Sequence, residues 1–221
     1  MARGVHFEVG GFYHIYNRGT DKRKTFLSRG DYLRFLALLH LTNTTHPVHI
    51  AEDFKDFNLG LALATPRENR LTSIIAYCLM PNHFHLLVKE TNKSGISKFI
   101  QKMSTAYTMY FNRKNERTGV LFQGKYKART VTNDNYLKYL VSYIHLNPIK
   151  LVEPEWKERG IQDLERAERF ISKYEYSSYP DFAGETRNLG CILSKGELPN
   201  YFESKSDFAK THREWLVFES K

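Results

Sequence analysis

The sequence predicts a mixed α/β fold, and three observations carry that expectation. Residues 74–90 read IIAYCLMPNHFHLLVKE, two apolar strand-like runs around a Met-Pro-Asn break. Proline cannot continue a central ladder, so a β-hairpin with Pro81 and Asn82 in the turn is the simplest reading. Ile96, Phe99, Ile100, Met103, Tyr107, Tyr110 and Phe111 recur at three and four residues, which predicts a helix over 96–114. Leu137, Leu140, Val141 and Ile144 repeat the pattern and predict a second helix over 136–146.

The remaining elements follow in chain order. FYHIYNR, residues 12–18, alternates as a strand and ends in an Asn-Arg-Gly turn. Tyr13, Ile15 and Asn17 share one face; Phe12, His14 and Tyr16 share the other. Residues 31–41 read as a helix capped by Ser28 or Asp31. The connection 42–70 is expected to hold a short strand at 48–51 and a further one near 59–64. Residues 126–131 read as a strand, with Lys125, Lys127 and Arg129 alternating onto one side of it. Such a cationic row suits a phosphate backbone, and equally a solvated edge strand that uses Lys against aggregation. Thr132-Asn133-Asp134-Asn135 is a dense capping sequence for the helix that follows, and Pro148 ends that helix. Beyond 153 come a short charged helix over 161–172, the aromatic segment YEYSSY over 174–179, and a weaker helix over 206–218.

Composition narrows the function. The 221 residues carry 33 basic and 24 acidic side chains, a net charge of +9, which favours a polyanionic partner such as nucleic acid. Two cysteines, Cys78 and Cys191, cannot build a disulfide framework or a Cys-based zinc site. No apolar run approaches a membrane span, and the N-terminus shows no apolar segment of a secretion signal, so the cytoplasm is the expected location.

His83 and His85 fall on one face of the second hairpin strand, with Phe84 on the other. Side-by-side imidazoles are a possible metal pair, although in a chain with nine His such a triplet also arises by chance. Tyr139, Tyr143 and Asn147 are spaced by four, so Tyr143 and Asn147 can face one site if the last helical turn reaches Asn147. The plain alternatives are a core tyrosine and an Asn that stops the helix before Pro148.

Four blocks stand in order along the chain: YHIYNRG (13–19), YCLMPNHFHLLV (77–88), GVLFQGKYKA (119–128) and YLVSYIHLNPIK (139–150). Together they resemble the HUH single-tyrosine transposases, closest to the REP-associated tyrosine transposase branch, over roughly residues 11–184. The resemblance implies a ferredoxin-like HUH endonuclease fold, with a central antiparallel sheet flanked by helices. It implies His83, His85 and Asn147 as ligands of Mg²⁺ or Mn²⁺ and Tyr143 as the nucleophile. The implied activity is cleavage and rejoining of single-stranded hairpin DNA through a 5′-phosphotyrosine. Asn17, Arg18, Gln123, Lys125, Lys127 and Arg129 are candidate DNA contacts. Residues 1–152 are expected to form the catalytic domain, with 153–221 as an extension packed on it that favours a monomer over a dimer. The alternatives are a non-catalytic nucleic-acid-binding protein, a replication-initiator-like nickase, and a metal-dependent hydrolase that uses water.

Overall fold

A computed structural model describes residues 5–47, 57–199, 201 and 204–218. The chain begins with β1 (Phe12–Arg18), α1 (Arg29–Leu41), α2 (Leu59–Ala64), β2 (Thr72–Met80) and β3 (His83–Glu90). It continues with α3 (Gly95–Lys114), β4 (Lys127–Thr130) and α4 (Asp134–Leu146). Four further helices follow: α5 (Trp156–Arg159), α6 (Leu164–Ser172), α7 (Tyr179–Phe182) and α8 (Lys205–Phe218).

The strands form one sheet in the order β2-β3-β1-β4. All three pairings are antiparallel. The β1–α1–β2 crossover therefore leaves a slot between two parallel strands, and β3 fills it through the tight Pro81-Asn82 turn. With α3 leading to β4, this is the ferredoxin-like βαββαβ arrangement.

Strand alternation gives the sheet two unlike faces. Tyr13, Ile15, Phe84, Leu86 and Val88 pack against Phe35 and Leu39 of α1 and Phe99, Met103 and Tyr107 of α3. On the opposite face Ile75, Cys78 and Leu87 pack against Leu137, Leu140, Val141 and Ile144 of α4. Next to that second core, still under α4, lie the side chains of His14, Tyr16 and His85.

Local chemistry fixes the helix ends. Ser28 caps α1, and Asp31 Oδ2 accepts from Ser28 N at 2.9 Å, closing a capping box. Buried Asp31 is also held by Lys114 Nζ at 2.6 Å and Tyr110 Oη at 2.9 Å, which ties the start of α1 to the end of α3. At α4 the Asn133 side chain accepts from Tyr136 N at 2.8 Å. Asn147 keeps helical backbone angles as the first residue of a 3-10 turn that runs to Leu151.

Three expectations need correction or limits. Residues 59–64 form helix α2, not a strand. Asn58 caps it by accepting from Leu61 N, the run LGLALA is rich in helix formers, and Ala62 and Leu63 are buried. The strand expected at 48–51 lies outside the described residues. β4 is shorter than expected, so Lys125 falls in the turn before it and the three cations do not form one strand row.

The segments after 153 are woven into the domain. Leu79 N donates to Tyr176 O and Ser178 N to Tyr77 O, both at 3.0 Å, and Ser194 N donates to Ile74 O at 2.8 Å. The outer edge of β2 is thereby covered, and every residue of β2 is buried. Leu189, Ile192 and Leu193 join the first core; Phe208 and Leu216 join the second. Trp215 packs edge-on against Tyr139, with ring centroids 5.0 Å apart. The side chain of Phe218 lies outside the described residues. Phe208→Ala should therefore cost about 3–5 kcal/mol in urea unfolding, and truncation at Gly184 should lower stability further. An unchanged urea midpoint in both variants would contradict this packing.

Candidate active site under the tyrosine helix

The site begins with strand register. β1 lies antiparallel to β3 with Tyr16 opposite His85 and Arg18 opposite His83. β4 flanks β1 on its other side with Arg129 opposite His14 and Lys127 opposite Tyr16. Cross-strand partners share a face, so the imidazoles, Tyr16 and Arg129 all gather on the side covered by α4.

His14 Nε2 and His85 Nδ1 are 2.8 Å apart, both buried. His83 stands edge-on to His85, with ring centroids 5.0 Å apart. Its Nδ1 lies 2.6 Å from Asn82 Oδ1, a carbonyl oxygen that can only accept. His83 Nδ1 is therefore the donor, and its Nε2 keeps a lone pair. The tautomer in which His85 Nδ1 donates to His14 leaves the His85 Nε2 lone pair in the same condition. A metal-ligating His commonly has its other nitrogen tied in this way.

The surroundings keep these rings neutral. Burial, then the nearby Arg129, lowers the His14 pKa to about 4. Burial, then Lys150 and Arg18, lowers His83 to about 4. Burial also takes His85 well below its ordinary value, with His14, His83 and Lys150 acting in the same direction. Neutral imidazole is the metal-binding form, so the pair His83 and His85 fits a divalent cation. Among the described residues no group of three or more His, Cys, Asp and Glu is arranged to hold a metal. The remaining ligands would be a neutral side chain, water or substrate oxygen.

Tyr143 reaches this cluster from α4. Its ring centroid is 5.6 Å from that of His85 and 5.9 Å from that of His14, both edge-on. The Lys157 ammonium lies 5.1 Å from the Tyr143 ring centroid. A chamber of about 350 Å³ opens here, lined by His14, Tyr16, His85, Arg129, Tyr136, Tyr139, Leu140 and Tyr143. Asn147 lines a small neighbouring depression with Tyr143, Lys150 and Lys157. Its amide Nδ2 donates to Tyr143 O at 2.7 Å, so it caps the helix end one turn below the tyrosine. The oxygen a cation would take is its Oδ1.

The remaining sequence candidates divide between places. Arg129 reaches the chamber, where the phenols of Tyr16 and then Tyr136 raise its pKa by charge and hydrogen bonding. Lys127 is exposed on the same face. Asn17 and Lys125 instead line a groove of about 560 Å³ beside α3, on the other face of the sheet, with Gln101, Ser104 and Thr108. Arg18 donates from Nε to Gln123 Oε1, and both are exposed at the end of β1.

Sequence reasoning gave no site role to His14, Tyr16, Lys150 and Lys157. Alternation already set His14 and Tyr16 on one face of β1, but only the β1–β3 pairing brings that face to the His83–His85 pair.

The family described as IS200-like transposases matches residues 38–147. Over that span the chain is similar to these DNA transposases, which agrees with the resemblance seen in its sequence blocks. A solved structure titled as a REP-associated tyrosine transposase bound to a REP hairpin aligns with 91% of this chain and 94% of its own. That alignment has 14% identity and a TM-score of 0.48. No curated protein matches the sequence. No described helix is long and apolar enough to cross a membrane.

The buried imidazoles set a pH dependence of stability. In the unfolded chain each His binds a proton near pH 6.5. Folded His14, His83 and His212 stay neutral down to about 4. The unfolded state thus binds more protons between those values, and stability falls as pH drops from about 6.5 toward 4. The urea midpoint should decline steadily between pH 7 and pH 5. A flat midpoint across that interval would show these rings to be solvated.

Proposed function

We propose that this chain is a single-strand DNA endonuclease and strand transferase that acts on hairpin DNA through Tyr143. The observation that carries the reading is the approach of the Tyr143 ring to both His14 and His85 in the wall of one chamber. Tyr139 and Tyr136, the competing tyrosines, line the same chamber, but Tyr139 is packed against Trp215 and Tyr136 lies a full turn earlier.

A phenol with a pKa near 10 is a weak nucleophile at neutral pH. Here Tyr143 is held at the end of a capped helix, between the imidazole cluster and the ammonium of Lys157. Its hydroxyl oxygen would form a bond to the scissile phosphorus as the bond to the 3′ oxygen breaks. The phenol proton is lost to solvent and the released 3′ oxygen is protonated. The products are a 5′-phosphotyrosine and a free 3′-hydroxyl, and because the ester energy is conserved, rejoining needs no ATP. His83 and His85, with Asn147 as third ligand, would hold Mg²⁺ or Mn²⁺. When bound, such an ion withdraws charge from a phosphate and orients it for in-line attack. Lys127 and Arg129, on the tyrosine side of the sheet, would neutralise strand phosphates.

In this reading residues 1–152 are the catalytic domain and 153–221 the extension packed on it, and the protein acts as a monomer in the cytoplasm. A replication-initiator-like nickase would share the covalent step. A water-using hydrolase or a non-catalytic DNA-binding protein would lack it.

Two measurements test the assignment. Tyr143→Phe keeps the ring, so it should fold, bind hairpin DNA and form no denaturant-resistant protein–DNA adduct, while Tyr139→Phe still forms one. An adduct mapped by peptide mass to another tyrosine would overturn the nucleophile; cleavage without any adduct would favour the hydrolase. Second, His83→Ala or His85→Ala should abolish cleavage and leave hairpin affinity nearly unchanged. Full cleavage by the double variant, or by wild type in excess chelator, would remove the metal from the reading.

A further inference from the structure

The chamber beside Tyr143 is larger than a tyrosine nucleophile and a phosphate require. At about 350 Å³ it falls in the range of small-ligand pockets, roughly 300–1,000 Å³. Its wall is unusual for a phosphate site, because Tyr16, Tyr136 and Tyr139 present rings there beside the imidazole of His14. The rings are ordered: His14 packs on Tyr16 with centroids 4.9 Å apart, and Tyr136 stacks with Tyr139 at 6.2 Å and 23°. One guanidinium, that of exposed Arg129, lines the same chamber beside Tyr16 and Tyr136.

Rings with a cation at the edge are the chemistry that accepts an unstacked base and its phosphate. Base–aromatic stacking is tolerant of sequence because every base has a π face. Arginine engages phosphate oxygens through its planar fork of donors. We propose that this chamber binds one extruded nucleotide of single-stranded DNA, next to the phosphate attacked by Tyr143. The base stacks among Tyr16, Tyr136 and Tyr139, and Arg129 holds its phosphate. The inference rests on the proposed function for its ligand class. It adds a subsite that reads the single-stranded state of the substrate, because a base paired in a duplex cannot enter.

The test uses the full chain in excess chelator, so that binding is read without cleavage. The probe is a ten-residue thymidine strand carrying one central 2-aminopurine, whose fluorescence is quenched by stacking. Wild type should bind and quench the probe. Tyr136→Leu, on the half-exposed first turn of α4, should relieve the quench and weaken binding by roughly 5- to 100-fold with the salt slope unchanged. Tyr16→Leu should behave in the same way. Arg129→Gln should keep the quench and lower the slope of log K against log salt by about 0.7. An equal quench in both leucine variants, or a wild type that fails to bind or to quench, would overturn the subsite. The two readings fail separately. A quench without any Tyr143 adduct leaves the base site and removes the catalysis, whereas an adduct without a quench does the reverse.

Discussion

The site depends on one register, the antiparallel pairing of β1 with β3. With Tyr16 opposite His85, the face of β1 that carries His14 is brought beside the imidazole pair. A slip of one residue would turn every β1 side chain to the other face. His14 and Tyr16 would then enter the apolar core under α1 and α3, and Tyr13 and Ile15 would be expelled from it. The first core thus protects the register, since Tyr13 and Ile15 are almost fully buried there. The composition of one face guarantees the chemistry of the other.

Helix α4 is positioned by equally ordinary means. Leu137, Leu140, Val141 and Ile144 anchor it over the sheet, which leaves the Tyr136, Tyr139 and Tyr143 row at the rim of that contact. The far side of α4 is braced by α8. Buried His145 and His212 lie 3.3 Å apart, and His145 Nε2 is 2.8 Å from Ser178 Oγ. Ser178 in turn bonds the backbone of Tyr77 in β2. The helix with the proposed nucleophile is therefore clamped to the sheet by segments far along the chain. Rigid support of this kind is what an in-line reaction needs from its scaffold.

Burial of the imidazoles is costly to stability at acid pH and useful to the site. Removing three rings from water favours their neutral forms, and the surrounding cations Arg18, Arg129 and Lys150 push in the same direction. The same cations make the neighbourhood attractive to a polyanion. One arrangement of positive charge thus favours both unprotonated ligands and a phosphate backbone.

Much of this was legible in the sequence. The hairpin, the alternation that pairs His83 with His85, the capped helix carrying Tyr143, and the family blocks all rest on local chemistry or short spacing. Such signals survive without knowledge of the fold because periodicity and turn residues act over a few positions. Residues 59–64 show the limit. A short apolar run suits a strand or a helix, and the Asn58 cap and contact with α1 decided for a helix. The cationic row failed for a related reason, since β4 ends where its pairing with β1 ends and Lys125 is left in the turn. His14, Tyr16 and Lys150 could not be assigned from the chain alone. Their role depends on which strand lies next to which, and on what a helix covers. Local chemistry along the chain sets which groups are available and the face each side chain takes. Which faces meet follows from strand order and edge coverage, and these are set by contacts between residues far apart in the chain.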